Sequence, residues 1–376
     1  LAALSPSTCK DRLVNRPVDA QCYDTIVVGA GQSGLAAGYA LRRAGLRFAI
    51  LEAGDRVAGS WPRYYESLRL FSPARYASLP GLPFPGDPDD YPGRDEVASY
   101  LGAYAEHFEL PVSTGTRVER VERVRGAFHV EMAGASYRSR TLIAATGSFR
   151  RPYVPEFPGQ ALFRGQLLHS SAYCRPEGFR GRRVIVVGGG NSAVQIAVEL
   201  AAVARVSLAT RAPLKLTPQR ILGRDIHFWA NVVGLERLPL GRWMSLREYN
   251  VVLDAGAYRR ALQSGNPECR PVFAAFDSEG VVWQDGGREE VDAVIFATGY
   301  RPNLAYLHDL QVALAADGSA RQRAGVSVAI PGLYFLGLPA QRTIASATLR
   351  GVGADAGYVA RHLRRYLRHH AEQAWR

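Results

Sequence analysis

VIVVGGGNSAVQIAVEL (residues 184–200) is a short β-branched run, three glycines at 188–190, and then a stretch of helix formers. Alone it reads as the strand, tight turn and helix that cradle a dinucleotide pyrophosphate. Residues 25–41, TIVVGAGQSGLAAGYAL, present the same pattern a second time. In the first copy Thr25–Val28 make the strand, Gly29, Gly31 and Gly34 the turn, and Phe48–Leu51 the next strand, ending at Glu52. In the second, Val184–Val187 lead into Gly188, Gly190 and Ala193, and Val206–Ala209 run to Thr210 and Arg211. Glu52 lies 23 residues after Gly29, and Arg211 lies 23 after Gly188.

Each glycine meets a separate physical need, whether the tight turn, close backbone approach to the pyrophosphate, or close helix–strand packing. The helix that follows offers unpaired N–H groups and the positive end of its dipole. Gln32 and Ser33 open the first helix, Asn191 and Ser192 the second, and all four are candidate cofactor contacts. Glu52 suits a ribose diol and repels a 2′-phosphate, whereas Arg211 would donate to one. The first site therefore reads as FAD-binding and the second as NADPH-binding. The alternatives are a degenerate turn that binds nothing and, for Arg211, a solvated surface arginine.

A second duplication accompanies the first. TLIAATGSFRRP (141–152) and AVIFATGYRPN (293–303) each close a β-like run on Ala-Thr-Gly, 118 and 111 residues after their own first glycine. Ala145, Thr146 and Gly147, and in the other half Thr298, Gly299 and Tyr300, are thus expected where backbone comes close to a cofactor. The expected fold is α/β: an FAD domain from 22–157 and 291–376, with an NADPH domain, 158–290, inserted into it after a Pro-rich connection. Residues 1–21 read as a disordered leader.

The remaining composition narrows the classes. Of 376 residues 47% are hydrophobic, enough for a large core, and the net charge is +12. Only Lys10 and Lys215 are lysines among 46 basic residues, and the 44 arginines are scattered rather than blocked, which disfavours nucleic acid as a partner. Four cysteines without a CxxC argue against a disulfide framework, a redox pair or a metal site, and fit a cytoplasmic protein. No apolar stretch is long enough for stable membrane insertion. The basic final segment, RHLRRYLRHH (361–370), reads as a solvated helix face, with a membrane-surface role as the alternative.

Two such units at this spacing resemble the flavoproteins with two dinucleotide-binding domains. Within them FRGQLLHSSAY (163–173) gives Phe163-x-Gly165-x-x-x-His169-x-x-x-Tyr173, which resembles the fingerprint of class B flavoprotein monooxygenases. GSWPRYYESLRLFSPARYASLPGLPFP (59–85) resembles the flavin-side segment of small bacterial flavin-containing monooxygenases. Tyr173, where Baeyer–Villiger members usually carry Trp, points to the flavin-containing monooxygenase branch. Two departures stand out: Ala212 follows Arg211 where relatives often have Thr, and Ala58-Gly59 replaces a double glycine before Trp61.

The resemblance implies an enzyme in which NADPH reduces FAD, O2 adds, and a C4a-hydroperoxyflavin oxygenates sulfides or amines, with ketones as the alternative. Its partners are then O2 and a small molecule, and the chain a monomer or homodimer. It implies that His169 and Tyr173, sharing one face if that segment is helical, seat NADP+ near the domain junction, the alternative for His169 being a hydrogen-bonded histidine at a domain seam. Ser72 is expected near the oxygen adduct, or else as the cap or turn residue before Pro73. Ser60, Trp61, Leu68, Val118, Gln341, Thr343 and Ser346 are expected to approach the flavin nucleotide. Rival functions are a reductase or oxidase releasing peroxide, a 2-oxo acid oxidative decarboxylase of the indole-3-pyruvate type, and a flavin-bearing accessory protein.

Overall fold

A computed structural model describes residues 22–234, 236, 238–239 and 251–370. The expected leader at 1–21 lies outside the described residues, as do residues 371–376. The first unit is built on β1 (Cys22–Val28), which pairs in parallel with β2 (Phe48–Leu51) on one side and β6 (Ala135–Ala144) on the other. β3 (Val112–Ser113) extends the sheet beyond β2, and Leu333–Phe335 extends it beyond β6. The first half of β6 turns away to pair antiparallel with β5 (Ala127–Met132), which pairs in turn with β4 (Val118–Val124).

Helices α1 (Gln32–Arg43) and α2 (Arg94–His107) and the last helix, Leu349–His369, share a core against one face of the sheet. The β4–β6 meander and the turn at Ala305–Ala313 cover the other face. A parallel strand covered on both faces has no solvent side, so Ile26, Val27 and Val28 form an unbroken apolar run. The chain leaves this unit through β7 (Arg151–Pro152), which pairs antiparallel with the returning Tyr300–Arg301.

Between those crossings lies the second parallel sheet. β9 (Arg183–Val187) is central, with β10 (Arg205–Thr210) and then Glu268–Pro271 on one side. Ala293–Phe296 and then β8 (Gln166–His169) lie on the other side, and α3 (Asn191–Leu200) packs on the sheet. The fold is thus α/β, with one dinucleotide-binding unit inserted into another. One boundary differs from expectation: Ala293–Phe296 belongs to the second sheet, so the chain returns at Tyr300–Arg301 and not near Val291. The run AVIF is fully buried and suits either sheet; only pairing register assigns it.

The two turns repeat hydrogen bond for hydrogen bond. Gly29 N donates to Leu51 O and Ala145 N to Val28 O; in the second copy Gly188 N donates to Ala209 O and Ala297 N to Val187 O. Gly29 has φ +104°, and a Cβ there would stand 2.8 Å from Ala145 O. At Gly188 a Cβ would stand 2.4 Å from Ala297 O. Gly34 is the tightest point, since its Cβ would fall 1.8 Å from Gly29 O. The second copy tolerates Ala193, fully buried, at that place. Ala58 departs from these rules: it holds φ +108° with no solvent exposure, beside Gly59, whose Cβ would press on Gly31 Cα at 2.9 Å.

Gly34→Ala is expected to cost about 3 kcal/mol or more, because backbone must move. The matched Ala193→Gly should cost only about 1 kcal/mol of helix propensity. Urea unfolding compares them, and equal losses would mean that the Gly34 contact is absorbed. Ala58→Gly should remove roughly 1–3 kcal/mol of strain against a smaller entropic loss, raising the melting temperature by about 2 °C. A lower melting temperature would show that the strain is not there.

Candidate active site

A cavity of about 380 Å3 opens between the two sheets, faced by the first glycine turn and by the start of α3. Gly29, Gly31, Gln32 and Ser33 line it from the first copy, Asn191 and Ser192 from the second. The N-caps of α1 and α3 are Gly31 and Gly190, neither helix has a side-chain cap, and neither has an acid in its first turn. Two sets of unclaimed N–H donors, each at a positive dipole end, therefore converge on one space. Gly34, Gly188 and Gly190 are not in the lining; they shape the turns from behind.

Charge follows the same logic. Arg69, Arg117, Arg150 and Arg350 line the cavity against a single carboxylate, Glu52. Glu52 is buried and already held: Oε2 accepts Ala30 N–H at 2.8 Å, and Oε1 accepts Gly54 N–H and Arg150 Nη2, each at 2.8 Å. Val118, Ala145, Thr146 and Gly147 complete this end, with Thr146 Oγ1 donating to Asn303 O at 2.9 Å. Narrow glycine cradles, bare helix ends and excess cationic charge fit the pyrophosphate of a dinucleotide.

The 59–85 stretch forms the opposite wall. Ser60, Trp61, Leu68 and Ser72 all line the cavity. Trp61 Nε1 donates to Gln32 Oε1 at 3.2 Å, and Gln32 Nε2 reaches Ala347 O at 2.7 Å, tying wall, turn and closing loop together. Ser72 is buried, and the N-cap of the short helix after it is Pro73, so Ser72 is not that cap. Aromatic rings step from this wall to the second unit: Trp61 to Tyr64 at 5.4 Å, Tyr64 to Phe149 at 6.2 Å, Phe149 to Tyr300 at 5.4 Å. Tyr300, in the lining, then meets His169 edge-on at 4.8 Å.

His169 and Tyr173 do not share a helix face. His169 ends β8, paired with Phe296, and the chain turns before Tyr173. The His169 ring is buried; its Nε2 lies 2.9 Å from Gly299 O, while Ser171 N–H points to its Nδ1 at 3.1 Å. A carbonyl only accepts and an N–H only donates, so the proton sits on Nε2. Burial lowers the imidazole pKa below its ordinary value, keeping the ring neutral. Tyr173 is fully buried in the second core and donates to Glu199 at 2.7 Å, away from the cavity.

Gln341, Thr343 and Ser346 are also outside the lining. Gln341 Nε2 donates to Phe335 O at 3.0 Å, Thr343 Oγ1 accepts Ala345 N–H at 3.1 Å, and Ser346 Oγ accepts Thr343 N–H at 2.9 Å. They satisfy the closing loop internally; Gly337, Ala347 and Thr348 are what that loop shows to the cavity. Thr298 likewise spends its hydroxyl on Tyr153 O, and Gly299 lies outside the lining as the acceptor for His169.

Register revises one correspondence. Val28 pairs with Leu51 and Val187 with Ala209, so the structural counterpart of Glu52 is Thr210, and Arg211 stands one residue beyond. Arg211 is exposed, with no ion pair or hydrogen bond to the other described residues. Sequence reasoning passes over Arg150, Phe149 and Tyr64, although all three stand beside the motifs. Spacing marks the Ala-Thr-Gly turn but not the side chains after it. Among the described residues no cluster of metal-ligating side chains occurs, and no helix is long and apolar enough to cross a membrane.

Residues 26–223 match the family described as pyridine nucleotide-disulphide oxidoreductase. The flavin-containing monooxygenase from Stenotrophomonas maltophilia superposes with a TM-score of 0.82 at 34% identity, covering 92% of this chain and 99% of its own. The CzcO-like oxidoreductase of Geobacillus kaustophilus is 35% identical across 89% of this chain and 97% of its own length. Indole-3-pyruvate monooxygenase YUCCA4 of Oryza sativa subsp. japonica is 31% identical across 89% of this chain and 85% of its own. The chain belongs to the pyridine nucleotide-disulphide oxidoreductase family and, within it, to the class B flavoprotein monooxygenases, enzymes that work with FAD and NADPH.

Proposed function

We propose that the chain is a cytoplasmic monooxygenase that transfers one oxygen atom from O2 to a soft nucleophile, a sulfide or an amine, by way of a C4a-hydroperoxyflavin. The observation that carries this is the convergence of two uncapped helix N-termini on one cavity. One dinucleotide would suffice for binding; two facing each other suit electron delivery within a shared, closable space.

In this reading the first turn and Arg150 hold the pyrophosphate half of FAD, with Glu52 oriented toward its ribose. Trp61, Leu68 and Ser72 form the flavin-side wall, apolar enough to exclude water. NADPH enters at the second turn, and Arg211 takes its 2′-phosphate as a charge-assisted partner. His169 stays neutral and fixes the Gly299–Tyr300 turn, so its role is positional.

A second reading, oxidative decarboxylation of a 2-oxo acid, draws support from the named activity of the rice relative and from the arginine-rich lining. In stopped flow, protein reduced with NADPH and mixed with O2 should show a persistent absorbing intermediate whose decay accelerates with methyl phenyl sulfide, yielding the sulfoxide. Acceleration by indole-3-pyruvate instead, with indole-3-acetate formed, selects the second reading. Direct return to oxidised flavin with stoichiometric peroxide rejects both. Arg211→Ala should raise the Michaelis constant for NADPH about tenfold and leave NADH use unchanged. Equal damage with both coenzymes would remove the 2′-phosphate assignment.

A further inference from the structure

The cavity wall at Leu68–Ser72 is anchored in its own unit, where Leu70 N donates to Pro92 O at 2.9 Å and Arg94 N to Leu68 O at 3.1 Å, and is also held by the second unit. Gln195 Nε2, on α3, donates to Arg69 O at 3.3 Å, and Gln219 Nε2 donates to Phe71 O at 3.1 Å. Two alternate carbonyls of the wall are thus claimed by amides from across the domain junction. Gln219 is buried, and its second N–H donates to Asp225 Oδ2 at 2.6 Å. The same oxygen accepts the hydroxyl of Tyr91, a first-unit residue, at 2.5 Å.

The other oxygen, Oδ1, accepts the backbone N–H of His227 at 2.8 Å and its Nδ1–H at 2.7 Å. That fixes the His227 ring against Phe71 and Tyr76, both roughly parallel to it and each with its centroid 6.2 Å away. Burial alone would raise the Asp225 pKa, but the hydrogen bonds from His227, Tyr91 and Gln219 outweigh it and hold the carboxyl at about 2. One carboxylate therefore has four donors, from both sides of the junction. Neither it nor Tyr91, Gln219 or His227 reaches the cavity, whereas Phe71 and Ser72 do.

We infer that Asp225 is a positioning residue for oxygen transfer: through Gln219, Tyr91 and His227 it clasps the Phe71–Ser72 wall to the second unit and keeps the cavity closed to water. Its effect on products rests on the proposed monooxygenase function; the clasp itself does not. An open wall admits water to a reaction that needs a dry site, so electrons taken from NADPH would leave as hydrogen peroxide. Coenzyme binding and flavin reduction, which do not use the clasp, should be spared.

The test uses the FAD-loaded full chain with Asp225→Ala, Tyr91→Phe and Gln219→Leu. Glu289→Gln is the control, since Glu289 bridges Arg183 and Arg270 within the second unit, outside the cavity lining. Amide hydrogen exchange over residues 65–77 reads the clasp, and peroxide released per NADPH during methyl phenyl sulfide turnover reads its consequence. Tyr91→Phe and Gln219→Leu, each removing donors without emptying the site, should raise both by roughly fivefold. Asp225→Ala should raise them further, the rate of flavin reduction should hold, and Glu289→Gln should move neither readout.

Unchanged exchange in the clasp variants overturns the clasp. Faster exchange with a wild-type peroxide fraction, or a rise of both in Glu289→Gln as well, overturns the positioning role. A wild-type chain that sends all its electrons to peroxide overturns the oxygenation reading, and the exchange measurement still decides the clasp.

Discussion

The architecture depends on backbone touching backbone where side chains are absent. Gly34 lets α1 lie against the Gly29 carbonyl, and Gly29 and Gly188 each lean on the alanine carbonyl of an Ala-Thr-Gly turn. Those contacts fix where the two helices begin, and therefore where their free N–H groups point. Everything polar in the cavity is arranged around that fixed pair of positive ends. Cavity-lining side chains such as Gln32 and Arg150 refine a site that the main chain has already placed.

The cavity also shows how one acidic group can sit among four arginines without being wasted. Glu52 is buried, and its oxygens are taken by two backbone N–H groups and one guanidinium. A carboxylate so held is rigid; of the other lining arginines, Arg350 pairs with Glu236 at 2.7 Å and Arg69 donates to Tyr91 O at 2.9 Å, which leaves Arg117 for an anionic ligand. The aromatic steps from Trp61 to Tyr300 add a directional contact of another kind, since edge-to-face rings have a preferred mutual orientation. They link the wall at Trp61 to the turn that His169 pins, so both halves of the cavity share one framework.

Features governed by local backbone demands were legible in the sequence: the paired glycine turns, the Ala-Thr-Gly strand ends and the acid after β2. Features governed by pairing partners were not. The run AVIF has the same apolar pattern whichever sheet it joins, so the pattern alone puts the return of the chain too early. Counting residues matches Glu52 to Arg211, while hydrogen-bond register matches it to Thr210, because the whole stretch from the end of β9 to the paired position on β10 is one residue shorter than its counterpart in the first unit. His169 and Tyr173 have helical spacing, but β8 draws His169 into a sheet. Gln341, Thr343 and Ser346 are polar residues in the closing loop, yet carbonyls and N–H groups of that loop claim them first. The Asp225 clasp joins residues more than 130 positions apart, a distance no periodicity reports.

The two chain crossings between units run side by side: Tyr153 N donates to Gly299 O at 3.0 Å, and β7 pairs with Tyr300–Arg301. The inserted unit consequently begins and ends at nearly the same point in space. A segment with adjoining ends can be lifted out and replaced by another of the same kind without rethreading the host, and the host sheet closes over the gap with a short splice. The second dinucleotide-binding unit is in this sense a cassette, whose replacement would leave the threading of the first unchanged.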